Sequence, residues 1–169
     1  MRAINPVSEK DFNKACAEVA AFVIAMAKEC TARGWTFYAT KDAPESYKAL
    51  KKAAAESFNG KQLPIADYGS ETSIYGSSEI NTLFRFYHDV VHLENDYSFS
   101  KDGESKTAYV HIRDGVRFGL SPLALRVLEA DTRGQVDYYF RWRKFVNNQR
   151  AFVLSCISHG IVNAIKVEH

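Results

Sequence analysis

Cysteine is scarce and scattered in this chain. Cys16, Cys30 and Cys156 form no CxxC pair, so they make a poor structural zinc knuckle, and their odd number does not suit a disulfide framework. With no export signal recognised, the expectation is a reducing, cytoplasmic setting in which the thiols fill the core. Long apolar runs are also missing. The best, Val19 to Ala27, is flanked by charges and falls short of the roughly 20 residues a bilayer requires, so no membrane association is expected. Charge of one sign is lacking too. Twenty-two basic against 20 acidic residues leave a formal +2, which gives no basis for specific nucleic-acid binding or for docking to acidic membranes. No internal repeat or low-complexity tract is present.

What the chain does have is an ordinary globular composition. Hydrophobic residues make up 46% and charged residues 25%, which with 169 residues fits one domain spanning 1–169 with a real core. Val167-Glu168-His169 resembles the start of an expression tag, so His169 is assigned no role. Ser8 and Asp11 form a variant capping box ahead of apolar residues at helical period from Phe12 to Met26, and Gly34 is a natural stop. Trp35 to Thr40 is strand-like but too short to build a sheet on. Pro44 suits the first turn of a second helix through about Phe58, closed by Asn59-Gly60. Gly60 to Ser77 reads as irregular: a mouth or lid, or a packed surface crossover.

Ser78 is the expected cap of a third helix to about Leu93. A polar loop from Glu94 to Asp102 follows, with Tyr97 and Phe99 turned inward. Gly103 to Asp114 reads as helix, the alternative being a hairpin over 107–120 turning at Arg113-Asp114-Gly115. Ser121-Pro122 caps a long helix to about Lys144, and a last helix starts at Asn147 or Asn148. The class is all-α, a compact bundle of five or six helices.

The most informative stretch is Phe86-Tyr87-His88-Asp89-Val90-Val91-His92, with Glu104 twelve positions after the second histidine. Residues four apart on a helix differ by roughly 40° in direction, so His88 and His92 share a face, and Asp89 falls within the same arc of roughly 100°. A polar loop of this length can return Glu104 beside them. Two histidines with one or two carboxylates and an open position suit a divalent metal, zinc ahead of iron(II). The competing account is a packing pair of histidines, with Asp89 bridged to Arg85 four positions earlier. On the fifth helix Glu129 and Arg133 have ion-pair spacing. Glu129 or Asp131 is a candidate fourth ligand or general base, and Gly134 a point of close approach. Arg141-Trp142-Arg143-Lys144, with Arg150 after it, fits a cation cluster at a helix C-terminus better than a nucleic-acid site. His111 and His159 read as isolated surface or core histidines.

His88-Asp89-x-x-His92, eleven residues, then Glu104 resembles the signature of the Coq4 family of ubiquinone-biosynthesis proteins, over about 17 of the 169 residues. That resemblance implies an all-α fold, a divalent metal at His88, Asp89, His92 and Glu104, and chemistry that removes a carboxyl group. More loosely, Phe84-Arg85, Phe99, Gly103-Glu104, Glu129, Gly134-Gln135 and Asn148 to Phe152 resemble small bacteriophage-encoded proteins, which implies a viral accessory role in a host cytoplasm. The HD phosphohydrolases share a His-Asp pair but place an isolated histidine upstream, and no histidine precedes His88 here.

Two functions follow as expectations. The first is a metal-dependent hydrolase or lyase acting on a small anionic substrate. His88, His92, Glu104 and Asp89 hold the metal, Glu129 or Asp89 acts as acid or base, and Arg133 or Arg150 binds the anion. The second is a viral protein that binds and inhibits a host or defence factor, the His/Glu cluster being structural.

Overall fold

The structure, a computed structural model, describes residues 7–167 and 169. Glu168 of the suggested tag remnant lies outside the described residues, and His169 is tied in by reciprocal backbone hydrogen bonds of 2.9 Å with the Tyr138 hydroxyl. Helix α1 (Glu9–Ala32) begins where the Ser8 hydroxyl accepts the Asp11 backbone N–H at 3.1 Å, and Gly34, at φ +89°, follows its end. Its apolar stripe, including Phe12, Val19, Phe22 and Val23, is buried against the later helices and forms the centre of the core.

The chain is mostly helical, but two short strands depart from a purely helical bundle. Strand β1 (Thr36–Thr40) pairs in parallel with β2 (Gln62–Ala66), in register from Thr36↔Gln62 to Thr40↔Ala66. Helix α2 (Tyr47–Glu56) supplies the crossover, as parallel pairing requires. It starts at Tyr47 rather than at Pro44, because the Ser46 hydroxyl accepts the Ala49 N–H at 3.2 Å and sets the cap there. Leu63, Pro64 and Ile65 are all buried, and Pro64 sits opposite Tyr38, a proline a two-stranded edge can accept.

The segment after β2 is a packed crossover, not a lid. The Arg85 guanidinium donates to the Ala66 and Tyr68 carbonyls at 2.9 and 2.6 Å, the Asn81 amide to Ser70 Oγ at 2.8 Å, and the Arg150 N–H to the Thr72 carbonyl at 2.9 Å. Ser77 then caps α3 (Ser78–Asn95), one residue earlier than the sequence suggests.

Helix α4 (Lys101–Phe118) replaces the alternative hairpin over 107–120. Its buried residues Thr107, Ala108, Val110, His111, Asp114 and Gly115 recur at helical spacing, and Asp114-Gly115 is interior to the helix rather than a turn. A Cβ on Gly115 would lie 2.9 Å from a methyl carbon of Leu120 and 3.0 Å from one of Leu128, so the glycine lets α4 meet the next helix closely. That next helix is interrupted. Helix α5 (Pro122–Glu129) and helix α6 (Gln135–Trp142) are joined without a break by one π-helical segment, Ala130–Gly134. Gly134 faces α7 (Gln149–His159), where an added Cβ would meet the Phe152 ring at 3.4 Å. A short α8 (Ile161–Ala164) follows.

The π segment directs Asp131 into the core, where it is 4% exposed. The Tyr75 hydroxyl and the Gln135 amide donate to its two oxygens, each at 2.7 Å. Burial outweighs both donors and pushes this carboxyl from 3.8 up to about 6. The folded state therefore holds its proton more tightly than the unfolded chain, and the associated stability is lost as pH rises from about 4 to about 6. Asp131→Asn removes this dependence. We expect the stability of the variant relative to wild type to climb by about 2–3 kcal/mol across that window and then level off, in urea unfolding at stepped pH.

Candidate metal centre

The site is built where α3 ends and α4 begins. Asp96 stops α3 in the left-handed conformation at φ 51°, and the Tyr97 N–H returns to the His92 carbonyl at 3.0 Å. The same turn brings the Tyr97 carbonyl to 2.8 Å from His92 Nδ1. A carbonyl only accepts, so His92 Nδ1 carries the proton and Nε2 is left facing away from the turn. Ser100 caps α4 by accepting the Gly103 N–H at 3.2 Å. Gly103 lets the first turn of α4 lie directly on the loop, since a Cβ there would be 1.9 Å from the Ser98 carbonyl oxygen. The neighbouring residue is Glu104.

These local choices bring three donor atoms together. His88 Nε2 and His92 Nε2 lie 3.0 Å apart, and each is 3.4 Å from Glu104 Oε2. His92 is fully enclosed, whereas the side chains of His88 and Glu104 retain 26% and 19% exposure, which leaves that edge of the triangle open to solvent. Bonds of about 2.0–2.2 Å to a common cation put tetrahedral donors about 3.3–3.6 Å apart and cis octahedral donors about 2.8–3.1 Å apart. The triangle has the size a divalent metal needs. Among the described residues these three form the one cluster of its kind.

The electrostatics are those of a charge-sharing site. Burial alone would raise the Glu104 carboxyl, but hydrogen bonds and charge from His88 and His92 outweigh it and hold the group well below the usual carboxylate range. Burial opposes charge on His88, and the Glu104 and Asp89 carboxylates overcome it, so its affinity for a proton is raised. Burial pushes Asp89 up to about 6 against the lowering charges of His88 and His92.

The remaining residues singled out by sequence fall in different places. Asp89 is half-buried and feels the charges of all three donor residues, but lies outside the cluster itself. The Asp89–Arg85 bridge does not form, because Arg85 is committed to the carbonyls of Ala66, Tyr68 and Gly69. Glu129 and Arg133 pair with each other at 3.0 Å on the surface, and Arg133 also approaches Asp137 at 3.9 Å. Arg150 lies over the Phe12 ring at 4.7 Å and donates to Asn13, which ties it to α1.

One participant has no signal in the sequence. His111, on α4 two turns beyond Glu104, is completely buried, with its Nε2 3.0 Å from His88 Nδ1. Phe84 and Tyr87 clamp its ring at centroid distances of 5.4 and 4.6 Å. Its other nitrogen, Nδ1, is buried with no hydrogen-bond partner, a deficit worth about 1–3 kcal/mol. Burial, with the neighbouring His88 and His92, pushes the His111 imidazole well below the ordinary histidine range. The seven-residue spacing from Glu104 is a retrospective clue only, since any α4 packing position would share it.

Gly103 sets the approach of α4, so the whole arrangement is sensitive to it. Gly103→Ala is expected to destabilise the fold by about 3 kcal/mol, measured by denaturant unfolding, because the clash is with backbone that no side-chain rotation relieves.

No protein-family model, curated protein or solved structure matches the chain, so its chemistry is read from the site alone.

Proposed function

We propose that this protein is a divalent-metal-dependent enzyme, a hydrolase or lyase, acting on a small anionic substrate. The observation that carries the reading is the donor triangle of His88 Nε2, His92 Nε2 and Glu104 Oε2, with sides of 3.0, 3.4 and 3.4 Å. Two imidazoles and one carboxylate form a facial set of borderline donors that suits zinc first and iron(II) second. A divalent cation there supplies Lewis acidity toward a carboxylate, phosphoryl or carbonyl oxygen.

The residues around the triangle support the remaining roles. Two neutral imidazoles and a single carboxylate leave a bound dication with a net charge of about +1, which favours an anionic substrate at the exposed edge. Asp89, one residue from His88 and titrating at about 6, is suited to take and return a proton near neutral pH. Glu129 and Arg133, the acid–base and anion-binding pair suggested by the sequence, are engaged with each other at 3.0 Å. The resemblance of His88-Asp89-x-x-His92 and Glu104 to the ubiquinone-biosynthesis motif supports lyase chemistry within this class.

The second reading is a binding protein, of the viral accessory kind, whose metal is structural. It is favoured by the complete enclosure of His92 and by a site that joins the end of α3 to the start of α4, as a staple would. Metal retained at one equivalent, with no turnover across a panel of small phosphates, carboxylates and esters, would select this reading over the enzyme.

Elemental analysis tests the metal directly. We expect one equivalent of zinc in wild type purified without chelator, or after chelation and reconstitution, and loss of stoichiometric metal in His92→Ala and Glu104→Gln. A wild type that holds no transition metal after reconstitution overturns the proposal. Because Glu104 raises the proton affinity of His88, zinc displaces a bound proton, and affinity should weaken as pH falls from 8 to 6 in chelator competition.

A further inference from the structure

We infer that His111 is a positioning residue that holds His88 in the one tautomer able to present Nε2 to a metal. The inference rests on the metal-centre reading and adds a fourth residue that the donor triangle does not contain. His88 Nδ1 and His111 Nε2 are 3.0 Å apart, so one donates and the other accepts. If His111 donates, His88 is protonated on Nε2 when neutral and turns an N–H toward Glu104. If His111 accepts, His88 carries its proton on Nδ1, and its Nε2 lone pair points at the same place as that of His92. Only the second arrangement supplies two nitrogen donors.

The surroundings of His111 fit that role better than packing. The ring is fully enclosed and clamped between Phe84 and Tyr87, so its Nε2 has a fixed direction. Its Nδ1 is buried without a partner. An apolar ring of similar size would fill the space without that deficit, so the imidazole is explained by what Nε2 does, and Nε2 touches His88. The two imidazoles of the triangle are thus oriented by the same device from opposite sides. A backbone carbonyl, Tyr97 O, fixes His92 at 2.8 Å, and a side-chain acceptor fixes His88 at 3.0 Å.

Imidazole NMR on the zinc-loaded wild type tests the assignment without a variant. Two-bond proton–nitrogen correlations are expected to show His88 protonated on Nδ1 and coordinated through Nε2, with His111 protonated on Nδ1 and bare on Nε2. A proton on His111 Nε2 overturns the inference. Zinc affinity, measured by competition with a chromophoric chelator, supplies the second arm. His111→Leu removes the acceptor and should weaken zinc by about 10–100-fold. His111→Gln, whose amide oxygen can take the place of Nε2, should recover most of the loss. Wild-type affinity in a folded His111→Leu overturns the role while leaving the metal centre intact. A wild type that takes up no zinc defeats the metal-centre reading, and this inference falls with it. Should His111→Leu fail to fold, the wild-type tautomers decide.

Discussion

The turn from His92 to Tyr97 is the constraint on which the site depends. One residue, His92, accepts the Tyr97 N–H at its carbonyl and offers its ring Nδ1 to the Tyr97 carbonyl. The backbone contact ends α3 and sends the chain back along it, and the side-chain contact fixes the imidazole. The turn is held from outside as well. The Tyr47 hydroxyl of α2 donates to Asp96 at 2.7 Å, and Glu94 takes hydrogen bonds from Arg33 at 2.9 Å and Trp35 at 2.8 Å beyond the end of α1. Three side chains from two separate segments thus pin the end of α3, and Gly103 allows α4 to close on it. The donor triangle is a consequence of how two helices are joined.

Two buried carboxylates in this chain meet the cost of burial in opposite ways. Asp131 has only neutral donors, Tyr75 and Gln135, and burial prevails, so its protonated form is favoured up to about pH 6. Glu104 faces two imidazoles and remains ionised far below its ordinary range. The difference lies in partners as well as depth, because Glu104 keeps some exposure and an ionised group gains from a charge-bearing neighbour while a neutral one needs only hydrogen bonds. A proton on the histidine pair or a divalent cation between them both meet the demand of Glu104. They compete for the same three atoms, which couples occupancy of the site to pH.

Much of this was legible in the sequence, and the limits have physical causes. Caps and periodicity located α1, α3 and the rod beginning at Pro122, because Ser8, Ser121 and a serine at the start of α3 (expected at Ser78, found at Ser77) carry local signals that tertiary contacts do not alter. The spacing of His88, His92 and Glu104 indicated a common point because helix geometry and loop length are local quantities as well. The β1–β2 pair escaped because its pairing is set across the α2 crossover, and β2 buries Leu63, Pro64 and Ile65 in a row, with a proline at its centre and no alternation to read. The π segment escaped because an extra residue in a turn leaves no trace in composition. His111 looked isolated because its partner is 23 positions away on another helix, and Arg85 looked like the partner of Asp89 because spacing cannot reveal the carbonyls that claim it.

The unequal exposure of the three donors sets the direction of any chemistry. His92 is sealed behind Phe99 and the Tyr97 turn, so nothing reaches the triangle from that side. His88 and Glu104 keep partial exposure, and Asp89 is half-buried one residue from His88. An exchangeable ligand must therefore arrive across the His88–Glu104 edge. His92 is set by backbone and closed to solvent, and acts as an anchor. His88 is half-open and in contact with the His111 ring, so it is where a ligand, a proton and a metal would meet. Small changes around His111 should therefore alter how the site behaves, whereas changes around Tyr97 should decide whether it exists at all.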